Sequence, residues 1–199
     1  DSIYGHWYSG KSFHIPWRAH RDSTFTLPSA DTLTYLKEGY TEVNFSFPDL
    51  SGNSVSLSDS RFKGKPVIIT IMGSWCPNCM DEARYLKDVY ARYKEAGLEI
   101  VGLSFERYGD YERDLPALQK MVTDLEIPYP VLHAGKAGGK NAAEALPMLN
   151  HVIAFPTAIY INRKGEVAKI HTGFSGPATG ERYSRFVEEN EAFLQDFVR

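Results

Sequence analysis

Two cysteines are all that this 199-residue chain contains, and they lie three positions apart, at Cys76 and Cys79. A disulfide-stapled scaffold is thereby excluded, since a bridge over so short a loop removes little chain entropy. A four-ligand zinc site lacks its second pair, because no histidine lies near the cysteines in sequence. Charge of one sign is also missing. The chain has 22 basic against 25 acidic residues, a formal net charge of -3, so it carries no electrostatic footprint for nucleic acid or an anionic membrane surface. Long apolar runs are absent: the longest, Val67 to Met72, is interrupted by Thr70 and falls far short of the roughly 18 residues that span a bilayer. There is no internal repeat and no low-complexity segment. The chain begins at Asp1 with no methionine and no signal peptide, the expectation for a mature or trimmed chain whose targeting segment went with whatever preceded it.

What is present is the composition of a soluble globular protein, 43% hydrophobic and 24% charged, long enough for one domain with an appendage. Residues 1–40 differ from the rest. Gly5 to Ile15 reads as two short aromatic strands around a Ser-Gly turn. Pro16 and Pro28 interrupt the stretch after it, and Ser29-Ala30-Asp31 reads as a linker. This segment is either the tail of a β-rich domain cut away upstream or an extension laid against the main domain. His6, His14 and His20 have no ligand spacing, and no metal is expected there.

From about residue 41 to 199 the pattern is α/β. Val43–Phe47 and Val55–Leu57 predict a short hairpin. Val67 to Met72 is a continuous β-branched run suited to a buried central strand. Cys79, Glu82, Leu86, Val89 and Tyr93 form one stripe of a following helix that ends near Gly97. A strand at Leu98–Leu103, a helix at Leu115–Leu125 and a short strand at Tyr129–Leu132 come next. Gly135–Gly139 reads as a flexible loop before a short helix at Asn141–Leu146. A hairpin (Ala158–Ile161 and Glu166–His171) and a helix from about Glu181 close the chain. The predicted architecture is a mixed, mostly buried sheet with helices on both faces.

The chemistry expected at the cysteines derives from a strand running through a tight Gly73-Ser74-Trp75 turn into a helix that opens at Cys76. Helix-initial N–H groups have no internal partner and carry partial positive charge, which stabilises a thiolate, the reactive form of sulfur. Cys76 is then the attacking sulfur and Cys79, one turn on, the resolving one. Pro77 suits the first turn, where no N–H is needed. Glu82 shares the Cys79 stripe. It is either buried with a raised pKa, able to exchange a proton with Cys79, or a second-turn glutamate that reaches solvent.

These residues resemble a known family. Trp75-Cys76-Pro77-Asn78-Cys79 after a buried strand is similar to the redox centre of thioredoxin-like proteins, and Phe155-Pro156-Thr157 before a strand resembles their cis-proline segment. Gly64-Lys65-Pro66 before the central strand and Glu82 three residues after the second cysteine resemble TlpA/ResA-like thiol-disulfide oxidoreductases, over residues 43–197. The resemblance implies a thioredoxin-like fold and a cis Pro156, with Trp75, Pro77, Phe155, Pro156 and Thr157 lining a substrate groove. It implies close backbone approach at Gly173. It further implies a reductant of protein disulfides, such as those of apocytochrome c, recharged by a membrane or periplasmic electron donor. Such a protein is extracytoplasmic, periplasmic or membrane-tethered, and needs no cofactor beyond the Cys76–Cys79 disulfide.

The chain also departs from that pattern. Thr70 stands where thioredoxins keep an acid, and Ile71 and Met72 stand where the relatives favour aromatics. His171 either adds a substrate contact or belongs to a tight loop. Two rival functions are a thiol peroxidase and a non-enzymatic copper- or partner-binding module. The first needs a threonine and a proline just upstream of its cysteine, which Cys76 lacks. The second usually adds a histidine or methionine to the cysteine pair, and Met80 is expected to point away from that face.

Overall fold

A computed structural model describes residues 1–11 and 13–199. The body is a five-stranded sheet in which β5 (Val67–Met72) is flanked by β6 (Glu99–Glu106) and then β7 (Val131–Lys136) on one side, and by β8 (Thr157–Ile161) and then β9 (Val167–Thr172) on the other. Its centre, β5, is buried at every position. That run has no polar alternation because both of its faces are covered. β6 and β7 continue parallel to it, β8 runs antiparallel, and β9 reverses again to pair antiparallel with β8.

Successive side chains of β5 serve opposite layers, as the period of two requires. Ile68 and Met72 join the cluster containing Leu86 and Val89 of α2 (Pro77–Tyr93), Leu118 of α3 (Tyr111–Leu125) and Leu194 of α5 (Glu181–Phe197). Ile69 and Ile71 join the other cluster with Leu132, Ile159 and Ala142 of α4 (Gly139–Ala145). Phe45 and Phe62 close that second layer from the segment around a small hairpin, β3 (Ser46–Pro48) and β4 (Ser54–Ser56).

Several expectations are corrected by tertiary context. The supposed linker at Ser29–Asp31 starts a one-turn helix, α1 (Ala30–Leu33), with the Ser29 hydroxyl accepting from the Asp31 N–H. A single turn is too short to leave a periodic signal. It is held on β9 by Asp31, which contacts His171 Nδ1 (2.6 Å) and Lys169 Nζ (3.4 Å), and by the bond between the buried hydroxyls of Thr34 and Thr172. α3 begins one turn earlier than expected, since Asp110 caps it by accepting from the Arg113 N–H (3.0 Å) and its first turn is polar. β6 and β7 both run further than their apolar residues. β6 continues through buried Ser104 and Glu106, and β7 through His133 to Gly135, where the pairing register shifts.

The N-terminal hairpin is two eight-residue strands, β1 (Ser2–Ser9) and β2 (Phe13–His20), paired with each other. Pro16 does not interrupt β2 but lies inside it, opposite His6. The Arg21 N–H bonds the Asp1 carbonyl opposite it, so bonded pairs fall at every second position from there. His6–Pro16 is then a non-bonded pair, and the missing proline N–H costs no ladder bond. Alternation gathers Ile3, Trp7, Phe13, Ile15 and Trp17 on one face of the hairpin, all of them exposed.

The contrast in burial gives a direct test. Ile69→Ala, at a fully buried position, is expected to cost about 3 kcal/mol in urea unfolding. Trp7→Ala, at a residue 64% exposed, is expected to change stability by less than about 0.5 kcal/mol.

Candidate functional site

β5 delivers the chain into a turn closed by the Cys76 N–H on the Gly73 carbonyl (3.1 Å). A side chain at Gly73 would meet the Trp75 indole at 2.4 Å and the Phe105 carbonyl at 2.8 Å, so only glycine lets Trp75 fold back over the turn. Trp75 donates its Nε1–H to that same carbonyl (2.8 Å). Cys76 is the N-cap of α2, and its sulfur accepts from the Cys79 N–H at 3.3 Å. A thiol thus occupies the place usually taken by a serine or aspartate oxygen. Pro77 follows at the first helical position, exposed.

Both cysteines are free thiols and almost fully buried, at 6% and 1% exposure. The hydrogen bond from the Cys79 thiol lowers the Cys76 pKa to about 7 against the opposing effect of burial, and the N–H groups of Cys79 and Asn78 add to the lowering. Cys79 moves the other way. Its bond to Cys76 raises it first, then burial, then the negative charges of Cys76 and Glu82. Of the pair, the outer sulfur is therefore the one that ionises first, while Cys79 stays a thiol.

Glu82 is 4% exposed, which decides between the two expectations in favour of the buried carboxyl. Burial pushes it up to about 8, the Thr70 hydroxyl bonded to it at 2.5 Å pulls it down, and the Cys76 charge raises it again. Thr70, at the position where thioredoxins keep an acid, is thus the hydrogen-bond partner of the acid that this chain has instead.

The loop before β8 closes the other side. The Phe155–Pro156 peptide is cis, and the Cys76 thiol lies 3.6 Å from the Phe155 carbonyl as its donor. The half-buried Phe155 ring stands 5.5 Å from that of Trp75. The Gly173 N–H bonds the Pro156 carbonyl (2.8 Å). The backbone thus approaches closely at Gly173, but a side chain there would meet no atom within 4 Å, so it is the φ of +87° that favours glycine. Thr157 does not line a groove: it is fully buried, and its hydroxyl bonds the Ala154 carbonyl (2.9 Å) beneath the loop. His171 takes no place at the cysteines, being held by Asp31 and packed 5.3 Å from Phe186. Sequence reasoning missed two ties on the motif. Asn78 donates to the Phe174 carbonyl (2.9 Å), and Glu106 accepts from Ser74. Neither has a spacing signal, since the partners lie 96 and 32 positions apart. Among the described residues no group of three or more His, Cys, Asp or Glu is placed to hold a metal ion, and no helix is long and apolar enough to cross a membrane.

A cysteine pair at the head of a helix, facing a cis-proline loop on a mixed sheet flanked by helices, defines a thioredoxin-fold thiol-disulfide oxidoreductase. The fold is that of a putative thiol:disulfide interchange protein DsbE from Chlorobium tepidum, with a TM-score of 0.56 at 23% identity over 78% of this chain and 98% of that one. The chain belongs to the AhpC/TSA family, whose model matches residues 39–170. Within curated proteins it is 31% identical to the thiol-disulfide oxidoreductase ResA of Halalkalibacterium halodurans over 137 residues, 69% of each chain. It is also 31% identical to ResA of Bacillus thuringiensis over 146 residues, 73% of this chain and 74% of that one.

The raised Glu82 pKa sets a pH dependence. Its folded value of about 8 lies above its ordinary 4.5, so the stability it lends is complete below about pH 4.5 and is lost as pH rises toward 8. Between pH 5 and 6.5, below the range of Cys76, the wild-type unfolding free energy is expected to fall by about 2 kcal/mol more than that of Glu82→Gln. Parallel curves in chemical denaturation would show that the carboxyl is ionised in the fold. Nearby, the Tyr129 hydroxyl is buried with no hydrogen-bond partner among the described residues. Tyr129→Phe is expected to raise stability by about 1 kcal/mol, and a loss of that size would mean the hydroxyl is satisfied.

Proposed function

We propose that the chain reduces disulfides of protein substrates by cycling Cys76 and Cys79 between dithiol and disulfide. The observation that carries this reading is the division of the pair into an outer sulfur with a pKa of about 7 and an inner one held as thiol beside a buried carboxyl. The Cys76 thiolate attacks one sulfur of the substrate disulfide. A mixed disulfide forms, and the other substrate sulfur leaves as a thiolate that takes up a proton. Glu82, no longer facing a charged Cys76, releases its proton to solvent; its carboxylate then takes the proton of Cys79, which attacks Cys76, closes the intramolecular disulfide and releases the second substrate thiolate. Two electrons pass from the cysteine pair to the substrate.

The timing of the proton transfer is set by the same charges. Negative charge on Cys76 is one of the causes that raise Glu82. Once Cys76 is bound in a mixed disulfide that charge is gone, and Glu82 ionises more readily at the step that needs a base. Cys76, Cys79 and Glu82 are the catalytic groups in this reading. Trp75, Pro77 and Phe155 form the rim that receives the substrate backbone, and the buried Pro156 and Thr157 support it from below. The electron pair resides in the sulfurs, so the cycle calls for no cofactor. Its oxidised form must be recharged by a dithiol donor. By the resemblance to TlpA/ResA-like proteins, that donor is a membrane or periplasmic one and the site of action lies outside the cytoplasm. A peroxidase reading gains nothing from the site, where no arginine is hydrogen-bonded to either sulfur among the described residues.

The deciding measurement is the reduction potential of the pair in glutathione or dithiothreitol buffers. A value near roughly -270 mV is expected for a reductant, and one near roughly -120 mV would reverse the direction. Cys76→Ser is expected to abolish insulin reduction. Cys79→Ser is expected to accumulate a mixed disulfide, and Glu82→Gln to slow its resolution by about 100-fold.

A further inference from the structure

Glu106 ends β6 and is 2% exposed, yet its carboxylate has no cationic partner among the described residues. It is held by neutral donors alone: the Ser74 N–H on Oε1 (2.7 Å), the Ser74 hydroxyl on Oε2 (2.6 Å) and the Ser104 hydroxyl on Oε1 (2.6 Å). Burying a charge this way is costly before the bonds are counted, so stability alone is a poor reason for an acid here. Its donors point to another one. Two of the three come from Ser74, two residues before the attacking sulfur.

We propose that Glu106 is a positioning residue for the thiol-disulfide reaction: its carboxylate clasps the Gly73–Trp75 turn to the end of β6 and so fixes how Cys76 presents its sulfur at the helix N-terminus. The inference rests on the redox role assigned above to Cys76. The turn is pinned residue by residue. Gly73 gives its carbonyl to the Cys76 N–H, Ser74 gives both donors to Glu106, and Trp75 gives its indole N–H to Phe105. The last two anchors are neighbours on β6, immediately after the register shift at Ser104/Phe105, and such irregularities re-aim side chains at sheet edges and active sites. Ser74 offers two donors at once, to two different oxygens. A carboxylate accepts both, while an amide offers one acceptor oxygen. Without the clasp, rotation at Ser74 swings Cys76 away from the Cys79 N–H that it accepts at 3.3 Å, and its thiolate loses stabilisation.

The test uses the full chain with Glu106→Ala, Glu106→Gln and Ser74→Ala, and tracks Cys76 alkylation by iodoacetamide against pH together with insulin reduction and thermal unfolding. In Glu106→Ala the alkylation midpoint is expected to move from about 7 toward the free-thiol value of about 8.5, which cuts the rate at pH 7 roughly tenfold. Glu106→Gln, keeping one acceptor, is expected to fall between Glu106→Ala and wild type. Ser74→Ala removes one bond and no charge, and is expected to shift the midpoint the same way by a smaller amount. If Glu106→Ala fails to fold, the two milder variants decide. An unchanged or lowered midpoint in the variants that fold, with only the melting temperature reduced, overturns the proposal and leaves Glu106 a structural residue. A wild-type chain that alkylates normally but reduces no disulfide would sink the proposed function instead, with the alkylation shifts still reporting on the clasp.

Discussion

A sulfur standing where a helix usually places an oxygen cap is the constraint around which this molecule is arranged. As the cap of α2, Cys76 must leave β5 through a turn tight enough to face it back toward the Cys79 N–H. That requirement explains the glycine at position 73, the indole folded over it and the carboxylate beneath Ser74. It also explains why β5 has to be central: a strand covered on both faces gives the turn a fixed platform on which to pivot.

The site is buried on its inner side, and proton affinities there are set by neighbouring groups. Two buried carboxyls serve it in opposite ways. Glu82 has one hydroxyl, that of Thr70, to offset its burial, and keeps its proton to about pH 8. Glu106 has three neutral donors to satisfy its two oxygens. The difference lies in the donors: Glu106 meets two from Ser74 and one from Ser104, Glu82 the hydroxyl of Thr70. The same residue type is thus fitted to exchange a proton in one place and to hold a turn in the other.

The parts of this arrangement that are contiguous or periodic are readable in the chain itself. The run at Val67–Met72 marks the central strand, the spacing of Cys79, Glu82, Leu86 and Val89 marks one face of α2, and all of these are buried, Glu82 by the first of the two readings its spacing allowed. The segments that mislead are those in which pairing overrides local pattern. Pro16 reads as a strand breaker because its place in the ladder depends on register with a distant strand. Ser104 and Glu106 read as the end of β6 because polar residues signal a surface, and the bonds that Glu106 accepts from Ser104 and Ser74 make their burial tolerable. Thr157 reads as a groove residue by resemblance, but its hydroxyl turns inward to the loop that precedes it. Contacts across 32 or 96 positions leave no mark in spacing, so the ties of Ser74 and Asn78 emerge only from the fold.

The position of Pro16 also makes the N-terminal hairpin lopsided. Because His6–Pro16 is a non-bonded pair, the nitrogen of Pro16 points away from β1, along the outer margin of β2, and leaves a gap in the donors there. The outer margin of β1, at Ser2, Tyr4, His6 and Tyr8, keeps every N–H. A strand extending this small sheet therefore finds an unbroken row of partners on one side and an interrupted row on the other, so the hairpin is built to grow in a single direction.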